Sequence, residues 1–335
     1  MTRRDLSSAQ LAVVQAVRAA LLEDGDSARL QAVRVACSGG ADSLALAAGL
    51  VWLDAHESDP LRTSAALVVD HGLQAGSAGV AAGVVEVLRR LGLESDSVCV
   101  NVVPGPDGLE AAARDARYAA LAGGDVDLVL VGHTMDDQAE TVLLGLARGS
   151  GTRSLAGMPP RWRAGRAVFS RPLLGLRRTV TRQACADWGL TPWDDPMNDD
   201  ERYARVRARR LLPAIEQALG PGVVEALART ATLARADADY LDGLADIGLG
   251  LDDSGPGLDD EIGASSLPVP IVAQAPEALQ GRIVRAWLAR GAITELSFER
   301  TQAVLALVLD WRGQTGVDLP GGHRVVRRDG VLWLA

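Results

Sequence analysis

The 335-residue sequence carries 34 basic side chains, all of them arginine, against 43 acidic ones, for a formal charge of −9. Without lysine there is no G-x-x-x-x-G-K-[ST] phosphate loop, no Schiff-base or pyridoxal chemistry and no protein-kinase mechanism. Codon bias in a GC-rich genome is the plain cause. Any phosphate or carboxylate site must still rely on guanidinium forks, backbone amides or a metal.

Taken in chain order, the first half alternates short apolar runs with longer amphipathic ones. Strands are expected at 33–37, 65–70, 97–103 and 128–131, each followed by a helix, at 42–54, 79–91, 109–122 and 136–148. Asp107 and Glu110 have capping-box spacing at the third helix. Four β-α units in series predict an α/β fold, a Rossmann-like parallel sheet with right-handed crossovers and helices on both faces. Ligands of such sheets bind at the carboxyl ends of the strands. Ser38-Gly39-Gly40, Asp70-His71-Gly72 and Gly132-His133-Thr134 follow three of these strands, so they should converge.

Residues 149–166, rich in Gly, Pro and Arg, read as a long loop, followed by a strand at 168–174 and a helix at 179–188. A polar loop at 194–203 and a helix at 204–219 come next, and Gly220-Pro221-Gly222 reads as a boundary. The expected domains are therefore 1–220 and 221–335, with a long linking helix at about 223–244. Residues 248–260 read as an acidic, glycine-rich loop. A smaller mixed α+β C-terminal domain follows, with helices at 276–290 and 298–311 and a β-hairpin ending with turns at Pro320-Gly321-Gly322 and Asp329-Gly330.

Ser38-Gly39-Gly40-Ala41-Asp42-Ser43 occupies the strand-to-helix turn where a phosphate cradle belongs. The glycines allow successive N–H groups to face one anion, and the two serines and the helix N-terminus add donors. Asp42 would repel phosphates unless Mg²⁺ lies between them, so it reads as a metal ligand. A serine/glycine turn capped by Asp is the plain alternative. The flanking strand and helix, together with the S-G-G-x-D-S spacing, favour the cradle.

This loop resembles the PP-loop of ATP pyrophosphatases, which cleave ATP between the α- and β-phosphates and adenylate an oxygen. Asp70-His71-Gly72-Leu73, the run EAAARDARY from Glu110, GHTMDDQAETVLLGLARGSG from Gly132 and DPMNDDERYARVRARRLLP from Asp195 narrow the resemblance to the tRNA(Ile)-lysidine synthetase family. The terminal Leu319-Pro320-Gly321-Gly322 is similar to that family's C-terminal domain. Two departures are Met197, where the family has serine, and the loss of an asparagine from the arginine run at Val206-Arg207-Ala208.

The resemblance implies ligation of free L-lysine to C2 of the wobble cytidine of CAU-anticodon tRNA(Ile), with ATP and Mg²⁺. The cytosine O2 attacks the α-phosphate, pyrophosphate leaves, and the lysine ε-amine displaces AMP. It further implies ATP binding by residues 38–43 and His71. Catalytic candidates are Asp42, Arg114, His133, Asp136 and Asp137, and metal candidates are Asp42 and Asp137. A proton from the amine should pass to His133 or to the Asp136/Asp137 pair. One of those two acids is instead accounted for by the helix dipole, and a lone His is commonly structural. Arg114 and Arg117 share a helix face and could fork ATP phosphates or the lysine carboxylate, or simply pair with Asp115 and Glu110.

Between Arg148 and Arg210 there are 14 arginines and six acids, a balance of +8 in a chain whose remainder is −17. That stretch points to a polyanionic partner. Arg148, Arg153, Arg171, Arg205, Arg207 and Arg209 are the expected tRNA contacts, although alternate spacing makes some of the last three structural. Trp162, Trp188 and Trp193 are candidates for base stacking, or for ordinary core packing.

Three scattered cysteines without C-x-x-C weigh against zinc, iron–sulfur and a thiolating relative. No glutaminase segment suggests an amidotransferase, and a non-catalytic nucleotide sensor would need neither Asp42 nor the basic stretch. The start lacks a signal-like apolar run, and no run reaches the roughly 18 residues of a membrane span. A cytoplasmic protein without a membrane partner is expected, with nothing to separate monomer from homodimer.

Overall fold

The computed structural model describes residues 5–23, 32–57, 62–72, 76–102, 108–149, 151–250, 265–293 and 296–335, without the side chains of 108–110, 198 and 199. The expected Asp107–Glu110 box and most of the 248–260 loop therefore lie outside the described residues. The chain divides into two compact units, Met1–Leu144 with Gly157–Arg229, and Gly145–Ala156 with Thr230–Ala335.

The first unit is built on strands β1 (Ala32–Ala36), β2 (Thr63–Asp70), β3 (Glu94–Cys99), β4 (Leu128–Val131), β5 (Arg161–Ala164) and β6 (Ala167–Ser170), in the order β3-β2-β1-β4-β6-β5. All pairs are parallel except β5 with β6. Strand β4 reads Leu-Val-Leu-Val and is buried throughout. Period-2 alternation sends Leu128 and Leu130 into one core with Val33, Val35, Leu44 and Leu50, and Val129 and Val131 into another with Leu121 and Phe169. Both faces are thus covered. Helices α1 (Ser8–Leu22), α2 (Ala41–His56) and α3 (Ser77–Arg90) contribute to the first core, and α4 (Gly108–Ala122) to the second.

Helix α1 has no counterpart among the expected elements. Ser7 and Gln10 form a reciprocal capping box at its start, and Val13, Val14 and Val17 are fully buried. The third strand lies earlier than the expected 97–103, because β3 is an edge strand with exposed Glu94 and Asp96. Two further corrections concern 149–174. The expected loop contains α6 (Thr152–Leu155) after α5 (Met135–Arg148), then β5, which turns through Gly165 (φ 61°) and Arg166 into β6. The expected strand 168–174 stops at Ser170, since Pro172 has no N–H for a ladder and opens a 3₁₀ turn. Helices α7 (Arg178–Asp187), α8 (Ala204–Leu219) and α9 (Val223–Gly248) complete the series, and the division between the units falls within α9.

The second unit adds β7 (Ser266–Pro268), α10 (Val269–Ala273), α11 (Glu277–Arg290), α12 (Phe298–Leu309), β8 (Val317–Asp318), β9 (Arg324–Arg328) and β10 (Val331–Leu334). Its antiparallel sheet runs β7-β10-β9-β8 over a core centred on Trp287, Val304, Val325 and Leu332. Both expected turns form. Asp329 (φ 49°) and Gly330 (φ 76°) link β9 to β10, and Gly321 and Gly322 hold positive φ before β9. Among the described residues no helix is long and apolar enough to cross a membrane.

Candidate active site

The expected convergence of strand tips occurs in the first unit. After β1 the chain turns through Gly39 at φ +85°, where a Cβ would stand 2.5 Å from the Val84 side chain. Only glycine fits that position. Ser43 holds the loop shut: it accepts the Ser38 N–H at 3.2 Å and donates to the Gly40 carbonyl at 2.9 Å. Gly40 starts α2 without a side-chain cap, which leaves the first helical N–H groups to an incoming anion. The tip of β4 presses on the same turn. A Cβ on Gly132 would lie 3.1 Å from the Ser43 nitrogen and 3.2 Å from the Asp42 carbonyl group.

Behind the loop stands a cluster of carboxylates organised by one arginine that motif reading overlooked. Arg178, at the start of α7, lies 2.6 Å from Asp137, 3.2 Å from Glu140 and 3.5 Å from Asp42. Glu140 is 1 % exposed and is also held by Arg209 at 2.8 Å. Asp42 accepts a further hydrogen bond from the Thr181 hydroxyl. Burial pushes the Asp42 carboxyl above its ordinary range, and Asp137 adds to this, while Thr181 and Arg178 pull against it. Burial works against charge on Asp137 too, but Arg178, His133 and the Thr134 donors hold it below the usual value. Burial likewise opposes the charge of Arg178, and Asp137, Glu140 and Asp42 more than restore it.

The paired acids of α5 both make structural contacts. Asp137 is three residues past Thr134 and accepts its N–H and hydroxyl, both at 2.7 Å, which ties off the helix start. Asp136 accepts the Arg178 N–H at 2.7 Å and faces Arg177 at 3.3 Å, so it anchors α7 and does not face the loop carboxylate. Among the described residues no three His, Cys, Asp or Glu side chains form a metal cage by themselves. Asp42 alone, at the loop, suits an ion whose other ligands are phosphate oxygens and water. Both oxygens of Asp137 are already engaged, by Thr134 and Arg178.

Beside this cluster a cavity of about 240 Å³ is lined by His71, Arg114, Arg117, Tyr118, His133, Arg171 and Arg205, with no acid among them. His71 has a buried Nδ1 without a partner among the described residues, and burial and Arg117 lower its pKa. His133 is half-buried, and its pKa is lowered, by desolvation above all. A lowered pKa disfavours the protonated ring that a base must form.

The six expected tRNA arginines therefore scatter. Arg171 is 4 % exposed and packs over Trp162, inside the crevice and off the surface. Arg209 faces Glu140, Arg205 lines the cavity, and Arg207 is exposed and donates to the Glu201 and Arg202 carbonyls. Arg148 is exposed at the end of α5, and Arg153, in the second unit, pairs with Asp239 and Asp242. Trp162 stacks on Phe169 and Trp188 packs against the core, so neither is a free platform. Trp193 donates its backbone N–H to the Gly39 carbonyl at 3.0 Å. Glu140 and Arg178 were legible only as charged residues 38 apart; nothing in their spacing announced a pair.

Residues 12–215 match the PP-loop domain family, and residues 267–333 match the TilS substrate binding domain. The chain is 48 % identical to a tRNA(Ile)-lysidine synthase of Rhodococcus erythropolis over 94 % of its length and 90 % of that protein. Against the enzyme of the same name from Salinispora tropica it is 49 % identical, over 96 % and 95 % respectively. Among solved structures, the U34-tRNA thiolase NcsA from Methanococcus maripaludis superposes with a TM-score of 0.54 at 18 % identity, covering 67 % of this chain and 78 % of that one. The last match speaks for the fold alone.

Proposed function

Since the chain belongs to the tRNA(Ile)-lysidine synthase family, we propose that it joins free L-lysine to C2 of the wobble cytidine in CAU-anticodon tRNA(Ile). Residues 1–220 would form the ATP-pyrophosphatase catalytic domain and 221–335 the tRNA-recognition domain, working in the cytoplasm. The observation that carries the reading is the contact of Gly132 with the Asp42–Ser43 turn, which brings the glycine loop, Asp42 and the His133–Glu140 helix start to one place.

In the first step the cytosine O2 attacks the α-phosphorus and the bond to the β-phosphate breaks, releasing pyrophosphate. The chain's part is to neutralise charge with the N–H groups at the start of α2 and with the guanidiniums of Arg114 and Arg205 in the cavity. Asp42 would hold Mg²⁺ beside the phosphates, and that ion supplies further neutralisation of the triphosphate. In the second step the neutral lysine nitrogen bonds to C2, the C2–O2 bond breaks, AMP departs with the oxygen, and one N–H proton of the attacking amine is released to solvent. The basic surface residues Arg148 and Arg207 are the contacts we assign to the tRNA backbone.

The test is pyrophosphate release and incorporation of labelled lysine with ATP and a CAU-anticodon transcript. Both should depend on the transcript and disappear in Asp42→Ala. Binding of ATP without turnover would favour a nucleotide sensor, and incorporation of sulfur a thiolating enzyme.

A further inference from the structure

Arg171 is an unusual resident of the crevice, a buried guanidinium with no carboxylate partner among the described residues. It is fixed on several sides. One terminal nitrogen donates to the Pro159 carbonyl at 2.5 Å, and its backbone N–H donates to Pro160 at 2.8 Å. Its charged group lies 3.9 Å from the centre of the Trp162 ring, itself stacked on Phe169 at 4.9 Å. In that pose Nε–H points at Nδ1 of His133, 3.0 Å away.

A guanidinium can only donate, so the Nδ1 that meets it must offer a lone pair. A neutral imidazole then carries its one proton on Nε2, the ring nitrogen left for the contents of the cavity that His133 lines. We propose that Arg171 is a positioning residue that locks His133 in the Nε2–H tautomer, so that His133 donates a hydrogen bond during ligation and does not accept the lysine proton. The surroundings act in the same direction. Burial is the largest influence against a charged His133. Asp137 on α5 favours the charge, while Arg171, Arg117 on α4 and Arg205 on α8 oppose it. Such a donor suits the negative charge that develops on phosphate and leaving-group oxygens.

The tautomer can be read without any assumption about the reaction. The full chain has four histidines, His56, His71, His133 and His323, so ¹⁵N-labelled protein gives few side-chain signals. The His133 signals are identified by their loss in His133→Gln. At pH 7 they should show the neutral Nε2–H pattern. A neutral Nδ1–H pattern or an imidazolium would overturn the proposal on the unaltered protein alone. In Arg171→Met the pure pattern should give way to a tautomer mixture or an ordinarily titrating ring; an unchanged pattern would remove Arg171 from the account.

The donor role, which rests on the function proposed above, is tested by replacement. His133→Gln presents an amide N–H near the Nε2 position and should keep lysidine formation within about tenfold of the parent. His133→Ala should lose about 10²-fold or more, the usual effect of removing one such donor. Equal losses in both would refute the donor role. Absence of lysidine formation by the parent would instead refute the assigned reaction while leaving the spectra to decide the tautomer.

Discussion

Replacing Arg178 by methionine removes a guanidinium that touches three carboxylates while leaving most of the aliphatic stem. Its side chain is 17 % exposed, against 12 % for Asp137 and 1 % for Glu140. Glu140 would keep Arg209 at 2.8 Å, but Asp137 would be left with the two Thr134 donors and Arg209 at 3.8 Å, and Asp42 with the Thr181 hydroxyl. Breaking a buried pair by removing one partner costs about 3–5 kcal/mol. The surviving Arg209 contact points to the lower end, about 3 kcal/mol. Arg182→Met is the control: that arginine is 64 % exposed and 3.8 Å from Asp194, so its loss should cost under about 1 kcal/mol.

The assay is urea unfolding at pH 7.5 and again at pH 5. In the parent, Asp137 is held below its ordinary pKa. Its stabilisation is therefore complete above the unfolded value of about 3.9 and is lost as pH falls through the folded one. In the variant burial dominates and the carboxyl pKa values rise. A raised carboxyl pKa stabilises the folded state increasingly as pH falls through it, so the gap between parent and variant should narrow at pH 5. A gap under about 1 kcal/mol at pH 7.5, or one that widens in acid, would refute the account of Arg178 as the counter-charge of the cluster.

Three further outcomes follow. Gly39→Ala should destabilise the chain by at least about 1–2 kcal/mol, the cost of a left-handed backbone with a side chain, and abolish ATP binding in a calorimeter. Gly40→Ala, with negative φ and only the Ser38 hydroxyl within 4 Å of the new methyl, should unfold with the parent. Asp42→Asn relieves a half-buried carboxylate that Asp137 also disfavours; its urea midpoint should match or exceed the parent's while pyrophosphate release falls about 10²-fold or more, and loss of folding instead would contradict this. Iodoacetamide at pH 8 should label Cys99 alone, as mass spectrometry of peptides would show. Cys99 is exposed, whereas Cys37 and Cys185 are buried and their thiols raised by burial, Cys185 to about 11.

The β-α succession was readable because each element was announced locally. The apolar runs Leu67–Val69 and Leu128–Val131 ended in Asp70 and Gly132, and the Ser-Gly-Gly turn fell between a strand and a helix. The edge elements were not. Strand β3 is half polar because one side faces solvent, and the β5–β6 hairpin hides in a Gly- and Arg-rich stretch whose signal is the single Ala164-Gly165-Arg166-Ala167 turn. Loop spacing singles out Asp42, and strand-end position singles out Asp136 and Asp137 as an undivided pair, but their neighbours depend on how α5, α7 and α8 pack. Arg178 and Arg209 come from two different helices, and no periodicity links either to Glu140. Arg171 was misjudged for the complementary reason: a basic stretch gives charge by residue, while burial is decided by which strand end each residue occupies.

The crevice has its guanidiniums on Arg114, Arg117, Arg171, Arg178, Arg205 and Arg209, and no primary amine among its side chains. In the ligation we propose, an adenylated cytidine waits as an electrophile for an amine. A neighbouring lysine ε-amine would compete with the free amino acid and tether the tRNA to the protein. Guanidiniums remain protonated and unreactive at the pH where such an amine attacks. The crevice thus offers its own intermediate no side-chain amine, and the amine that captures it must arrive from solution.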